Sequence, residues 1–310
     1  RLNRLSLEWK TNLYVKRDDQ TGSEMSGNKI RKLEYALKEA LDDKCDTIIT
    51  CGGIQSNHCR ATVAAATKLG LKSIVMLRVN EDPKIEGNYF LDKLFGAEVR
   101  FCTPEEYRCS RNEMMKRIAE EIHGTGDKAY IIPEGASYGI GTLGYYECLQ
   151  EINAQEREMG IVFNTIVVAV GSGGTYAGLY LANKFLKLGK RVIGMAVCDT
   201  EEYFKNVVFN IAKEALPLIG EEIDIDRSDI EINDRYVGIG YALSRPEELA
   251  FIAEIARKEA LVLDPVYTGK AMYGLYNELK QSTIQKTGNI LFIHTGGLFG
   301  LFPKQEQFEF

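Results

Sequence analysis

Long apolar runs are missing from the sequence. No segment approaches the ~20 apolar residues that span a bilayer, so no membrane association is expected. Basic tracts are missing too. Lys and Arg number 38 against 44 Asp and Glu, a formal charge of −6 that argues against a nucleic-acid partner. Histidine is scarce: His58, His123 and His294 lie far apart with no H-x-x-x-H pairing, so nothing supports a metal site. The seven cysteines include no C-x-x-C pair, and their odd number and wide spacing fit buried thiols in a reducing cytoplasm. Seven prolines and the lack of low-complexity stretches exclude a disordered chain. The start, Arg1-Leu2-Asn3-Arg4, has no apolar stretch behind its charges, so no secretory signal is expected. With no Met at the start, a few residues are expected to be missing or removed.

What is present is an ordinary globular composition, 45% apolar and 26% charged, over 310 residues, enough for two domains. Short apolar, β-branched runs at 13–16, 47–50, 73–77, 98–101, 130–132, 165–170, 192–197 and 289–293 predict strands. Ile166-Val167-Val168-Ala169-Val170 is apolar throughout, the mark of a strand buried on both faces of a parallel sheet. Between the runs sit segments of helical period. The segment 29–41 carries Ile30, Leu33, Leu37 and Leu41 on one stripe, and 60–69, 113–122 and 248–258 behave alike, with Pro246 suited to a first helical turn. Gly70, Gly189 and Gly274 are read as helix stops. The alternation predicts an α/β fold of two open parallel-sheet domains. Residues 1–29 with 141–310 are expected to form the large one and 30–140 the small one, exchanging chain without a flexible tether.

Ligands in such folds sit at the carboxyl ends of strands, so the loops there carry the functional signal. The first loop, Ser26-Gly27-Asn28-Lys29-Ile30-Arg31-Lys32, enters a helix with Asn28 or Ser26 as its cap and three cations in its first turn. A desolvated lysine beside other cations loses its proton readily and becomes a nucleophile suited to Schiff-base chemistry; the ordinary alternative is a solvated basic turn. The second, Cys51-Gly52-Gly53-Ile54-Gln55-Ser56-Asn57-His58, brings two glycines and a helix N-terminus together, a place for a carboxylate or phosphate. Nothing places a base beside Cys51 or Cys59. The third, Gly171-Ser172-Gly173-Gly174-Thr175, follows the most apolar strand and is the strongest phosphate cradle. It is not a Walker loop, and Tyr176 stands where a dinucleotide fingerprint needs its third glycine. The fourth pairs Asp264-Pro265-Val266-Tyr267-Thr268-Gly269-Lys270 with His294-Thr295-Gly296-Gly297, where Thr295 offers a neutral hydroxyl to a ring nitrogen. One ligand satisfies all four loops: pyridoxal 5′-phosphate (PLP) carrying an amino-acid substrate.

These loops, with Val15-Lys16-Arg17-Asp18-Asp19 and Glu34 after Leu33, resemble the D-cysteine desulfhydrase/ACC deaminase family of PLP enzymes over nearly the whole chain. The resemblance implies the tryptophan-synthase-β-like fold (fold type II), with PLP between the two domains, and a homodimer. Carried over residue by residue, it makes Lys29 the Schiff-base lysine and carrier of the Cα proton. Asn57 would hold the cofactor's 3′-oxygen, and Gly171, Ser172, Gly173, Gly174 and Thr175 its phosphate. Thr295 would meet its pyridine nitrogen. Ser56, Asn57 and His58 would hold the substrate carboxylate, Ser56 also facing the reacting centre. Tyr241 and Tyr267 would be acid/base phenols, with Thr268 beside them. The family pattern is broken at Ser26, where glycine is usual, and at Ala242 after Tyr241; the first touches the loop around Lys29, and neither removes a reactive group.

ACC deaminases of this family typically read PVYEGK and HLGG; this chain has Tyr267-Thr268-Gly269-Lys270 and His294-Thr295-Gly296. A threonine cannot keep the pyridine nitrogen protonated as a carboxylate does, so less carbanion charge is drawn into the ring. That favours β-elimination of D-cysteine to pyruvate, hydrogen sulfide and ammonia. Deamination of ACC, L-cysteate or a diamino acid is the alternative within the family. Two readings from other classes remain at this point. One is a dinucleotide oxidoreductase using Gly171-x-Gly173 with Asp199 on the ribose; the other is a PLP carrier without turnover.

Overall fold

A computed structural model describes residues 1–220 and 223–309; Glu221, Glu222 and Phe310, which belong to the expected large domain, lie outside the described residues. The chain builds two parallel sheets. The larger orders its strands β1 (Asn12–Lys16), β9 (Asn289–Ile293), β6 (Phe163–Val170), β7 (Arg191–Ala196) and β8 (Glu231–Asn233). The smaller orders β4 (Glu98–Cys102), β3 (Lys72–Arg78), β2 (Thr47–Gly53) and β5 (Ala129–Ile131). Every pairing is parallel. This is the α/β architecture the alternation predicts. β8 was not foreseen, because three residues at a sheet edge leave no periodic signal.

The helices in chain order are α1 (Asn3–Trp9), α2 (Lys29–Asp42), α3 (Asn57–Lys68), α4 (Gly87–Leu94), α5 (Pro104–Gly124), α6 (Gly139–Met159), α7 (Gly174–Phe185), α8 (Glu201–Ile219), α9 (Pro246–Glu259), α10 (Thr268–Lys280) and α11 (Leu298–Leu301). β6 shows why the large sheet is covered on both faces. Ile166, Val168 and Val170 enter a core with Tyr145 and Leu149 of α6, Leu179 of α7 and Phe204 of α8. Val167 and Ala169 point the other way, to Trp9, Phe251, Ile252 and Leu275. In β2, Ile48 packs on Leu33 and Leu37 of α2 and on Ala61 of α3, whereas Ile49 and Cys51 face Met115 and Ile118 of α5. Each such aliphatic side chain taken fully out of water stabilises the fold by ~1.5–3 kcal/mol.

Local chemistry sets several boundaries. Thr103 and Glu106 form a capping box ahead of α5, and Pro246 opens α9. Gly70 closes α3 at φ +75°. Gly274 is not a stop: α10 runs through it to Lys280, and its missing Cβ makes room for Met195 Sδ and Tyr236, each 3.0 Å from where that atom would lie. A second close contact joins the two sheets' helical layers. A Cβ at Gly144 of α6 would lie 2.1 Å from the carbonyl oxygen of Arg31 and 2.8 Å from the Lys32 nitrogen on α2. Gly144→Ala should therefore lower stability by about 1–3 kcal/mol through overpacking. Gly124→Ala, at a helix end with open space around it, should leave stability unchanged or raise it by up to ~1 kcal/mol. Denaturant midpoints of the two variants check the difference.

Candidate active site

Each sheet has a point where its strand order reverses, and the two points face each other. In the large sheet it lies between β6 and β9, whose loops are the 171–175 turn and Thr295. In the small sheet it lies between β2 and β5, whose loops carry Gly52–Ser56 and Glu134. Crevices form outside the carboxyl ends of strands at such points. One cleft is lined by Lys29, Ser56, Asn57, His58, Gly171, Ser172, Gly173, Thr175, Tyr241, Tyr267 and Thr295, joined by Asn28, Gly135 and Glu134. Of the residues expected at the site, only Gly174 and Thr268 are not part of that lining.

Helix α2 starts at Lys29 and its first turn separates the three cations. Arg31 leaves the cleft for Asp18, a bidentate pair at 2.9 and 3.0 Å, which Tyr145 joins from α6 at 2.6 Å. Lys29 stays in the cleft, where loss of water lowers its pKa to about 8; Glu134 opposes the shift and the Arg60 charge adds to it. Its Nζ donates to Asn28 Oδ1 at 3.3 Å. Asn28 occupies the N-cap position but does not cap α2 with its side chain, contrary to expectation. Its Nδ2 instead reaches Thr175 Oγ1 at 3.0 Å, and its backbone N–H reaches the Thr295 carbonyl at 3.1 Å. The Lys29 loop thus leans on both large-sheet loops. Gly27, at φ +108°, permits this, since a Cβ there would be 2.9 Å from the same Thr295 carbonyl.

Beneath the 171–175 turn lies Lys32, fully buried. Its Nζ donates to the Gly135 carbonyl at 2.7 Å and to Ser137 Oγ at 2.8 Å. Ser137 Oγ is 2.7 Å from Ser172 Oγ and accepts from the Gly174 N–H at 3.3 Å. Among the described residues no carboxylate pairs with Lys32, and burial with the neighbouring Lys29 charge pushes its pKa well down. Cβ atoms at Gly173 and Gly174 would press on Val207 and on Lys32 Nζ itself, at 3.0 and 2.7 Å. An unpaired buried amine, a helix N-terminus and a turn with room only for glycine make a site for a dianion.

Opposite, Ser56 caps α3 by accepting from the Cys59 N–H at 3.1 Å, which fixes its hydroxyl at the cleft wall. Asn57 is oriented by Asn88 Nδ2 at 2.9 Å, and Asn88 by Arg60 Nε at 3.1 Å. The His58 imidazole turns inward: Thr50 Oγ1 spends its proton on the Ile132 carbonyl at 2.7 Å and therefore accepts from His58 Nε2 at 2.8 Å. Burial and the charges of Lys29 and Lys32 hold that ring neutral. His58 offers a ligand its backbone, at the first turn of α3. Tyr241 and Tyr267 share a hydrogen bond of 2.6 Å. Loss of water raises the Tyr267 phenol well above its ordinary value and moves the more exposed Tyr241 in the same direction, so both are proton donors at neutral pH.

Thr268 is the residue the sequence misplaces. It opens α10 fully buried, with Oγ1 donating to Asp264 Oδ1 at 2.7 Å and accepting from the Asp264 N–H at 2.8 Å. Asp264 also accepts from the N–H groups of Val266, Tyr267 and Thr268, which sets the turn that presents Tyr267. Glu134 was overlooked, although its place after the 130–132 run and the Pro133-Glu134-Gly135 turn were signals. The cysteines remain free, and burial lifts the Cys51 thiol to about 12, which removes it as a nucleophile. Among the described residues there is no metal-ligand cluster.

Residues 1–296 match the model of a family described as pyridoxal-phosphate dependent enzyme. The chain belongs to this PLP-dependent family. Relatives include the bifunctional D-cysteine desulfhydrase/1-aminocyclopropane-1-carboxylate deaminase of Arabidopsis thaliana, 43% identical over 96% of this chain and 75% of that protein. The D-cysteine desulfhydrase of Yersinia enterocolitica is 39% identical over 99% of this chain and 93% of its own. A crystal structure of an ACC deaminase homologue superposes with a TM-score of 0.90 at 40% identity, covering 98% of this chain and 90% of that one. A threonine deaminase, at 20% identity and a TM-score of 0.65 over 94% of this chain and 89% of that one, shares the fold. The protein is a PLP-dependent lyase of fold type II, and the dinucleotide reading falls with that result. The residues present fit the cofactor, since the Lys32 amine and the glycine turn call for a phosphate one helical turn from a lysine whose pKa is lowered to about 8. Lys32→Gln should weaken PLP binding by about 10-fold or more and leave pyridoxal, which lacks the phosphate, within about 3-fold. Equilibrium dialysis of both compounds against the variant checks this.

Proposed function

We propose that the enzyme eliminates the β-substituent of D-cysteine, giving pyruvate, hydrogen sulfide and ammonia. The observation that carries the reading is Thr295. The group that faces the cleft after β9 is a neutral hydroxyl with no hydrogen-bond partner of its own among the described residues. The nearby Asp264 carboxylate is spent on the turn before α10. Without a carboxylate at that position the ring is a weaker electron sink, which suits a reaction whose leaving group departs early.

Bound PLP supplies an electron-poor ring joined to the substrate nitrogen, which acidifies the Cα–H bond. Lys29 would be its attachment point and, once released, the base that takes the Cα proton; a pKa near 8 keeps a useful share of the amine neutral. Gly171, Ser172, Gly173, Gly174 and Thr175, with Lys32, would hold the phosphate, Asn57 the 3′-oxygen and Thr295 the ring nitrogen. Ser56 and the first amides of α3, at Asn57 and His58, would hold the substrate carboxylate. The Tyr241–Tyr267 pair, protonated, would deliver a proton to the departing sulfur. In this reading residues 1–29 with 141–310 form the lobe that carries the phosphate turn, and 30–140 the lobe that carries the carboxylate site.

ACC deamination is the second reading, supported by the bifunctional relative and the ACC deaminase homologue. L-cysteate or a diamino acid are further candidates of the same chemistry. A homodimer in the cytoplasm completes the proposal. Ile239 and Leu243, which line one groove with Leu249, leave 61% and 51% of their surfaces exposed, the kind of apolar patch a second copy covers. No helix of the described residues is long and apolar enough to cross a membrane.

Purified yellow holoenzyme mixed with D-cysteine should release sulfide and pyruvate in equal amounts, and Lys29→Ala should lower the rate by at least about 1000-fold. Release of 2-oxobutyrate from ACC at a higher kcat/KM than D-cysteine turnover would move the assignment to deamination.

A further inference from the structure

The strand β3 ends on Arg78, the register partner of Gly53 on β2. Its guanidinium stands behind the substrate loop, with Nη2 3.6 Å from where a Gly53 Cβ would lie. Its Cζ sits 4.9 Å from the Tyr107 ring centroid and 5.7 Å from that of Tyr241. The planar group is held between two aromatic faces, one of them belonging to a phenol that lines the cleft. Arg78 is half-buried, yet among the described residues it forms no ion pair and donates no hydrogen bond. Its neighbours differ. Arg111 also covers the Tyr107 ring, at 5.4 Å, but lies 3.8 Å from Glu134. Arg31 is engaged by Asp18, and Arg60 by the carbonyls of Glu24 and Ser26 and by Asn88. Arg78 is thus a stacked cation with its donors unspent, beside Gly53 and Tyr241 of the cleft lining. A partly desolvated guanidinium in that state is matched to an anion with two coplanar acceptors.

We propose that Arg78 is a specificity-determining residue that binds negative charge on the substrate's β-substituent, so that the enzyme takes α-amino acids bearing a β-sulfonate or a β-thiol held as its thiolate. The proposal rests on the β-elimination reading given above. The α-carboxylate has its own partners at Ser56 and the start of α3, and Tyr241, which Arg78 covers, stands on the leaving-group side. Elimination keeps its balance. The Cα–H bond breaks with its proton going to Lys29, a Cα=Cβ bond forms, and the Cβ–S bond breaks with its electron pair leaving on sulfur; the sulfonate departs as sulfite, and the thiolate takes a proton from the Tyr241–Tyr267 pair and departs as hydrosulfide. Water then releases pyruvate and ammonia, and no oxidant or reductant is needed.

The test uses the PLP-loaded full chain and its Arg78→Gln variant with three substrates: cysteate in both enantiomers, D-cysteine, and β-chloro-D-alanine, whose side chain is uncharged. The expected result is a fall in kcat/KM of about 30-fold or more on cysteate with β-chloro-D-alanine within about 3-fold, and partial recovery in Arg78→Lys. In the wild-type enzyme, 3-sulfopropionate should compete with β-chloro-D-alanine at least about 10-fold better than butyrate does, a measurement that needs no variant. Equal losses on all substrates, no loss on cysteate, or equal inhibition by 3-sulfopropionate and butyrate would each overturn the proposal. So would a wild type that turns over β-chloro-D-alanine but neither sulfur substrate, while leaving the elimination reading intact. Tight 3-sulfopropionate binding that depends on Arg78, in a protein inert to all three substrates, would uphold the anion site and sink the elimination reading instead.

Discussion

Two amines, one turn apart on α2, sit in and beneath the cleft, and among the described residues neither forms an ion pair with a carboxylate. Lys29 at i and Lys32 at i+3 share a helix face, and the Lys29 charge makes a charge on Lys32 harder to carry. The N-terminal position of the helix adds to the cost, because the dipole there disfavours cations. An isolated protein has no reason to hold such a pair. In the proposed reading a ligand with a dianionic phosphate and an amine-reactive aldehyde would resolve both: the phosphate would answer Lys32, and the aldehyde would consume the neutral form of Lys29. The glycine turn before α7 and the hydroxyl of Thr295 take their meaning from that pairing.

The scaffold keeps the two amines where they are by spending other charges elsewhere. Asp18 lies at the end of β1's loop and gathers Arg31 and Tyr145, which locks the first turn of α2 against α6. Asn28 and Gly27 tie the same turn to Thr175 and Thr295, one after β6 and one after β9. The His294 ring accepts from the Gly296 N–H and meets the Val262 carbonyl, which fixes the loop that carries Thr295. On the small-sheet side Arg60 draws the segment before Lys29 onto α3 through the carbonyls of Glu24 and Ser26. The groups that line the cleft come from the loops of both sheets.

Most strands were legible because parallel strands buried on both faces are apolar end to end, and 165–170 is the clearest case. The loops were legible because glycine, serine and lysine in those orders have few other uses after a strand. What escaped reading were groups whose meaning depends on tertiary neighbours. Thr268 has the right sequence position for a cleft residue, but Asp264 captures its hydroxyl. Gly274 has the look of a helix stop, but Met195 and Tyr236 occupy the space above it. Glu134 and Arg78 stand at strand ends with no motif around them, and only the facing of the two switch points shows where they lie.

The most direct test is to reduce the yellow holoenzyme with borohydride, digest it and locate the phosphopyridoxyl group by mass spectrometry. The account predicts a single modified lysine, Lys29, with Lys32 unmodified beside it. A phosphopyridoxyl group on any other residue, or a protein that binds PLP without forming a reducible bond, would contradict it.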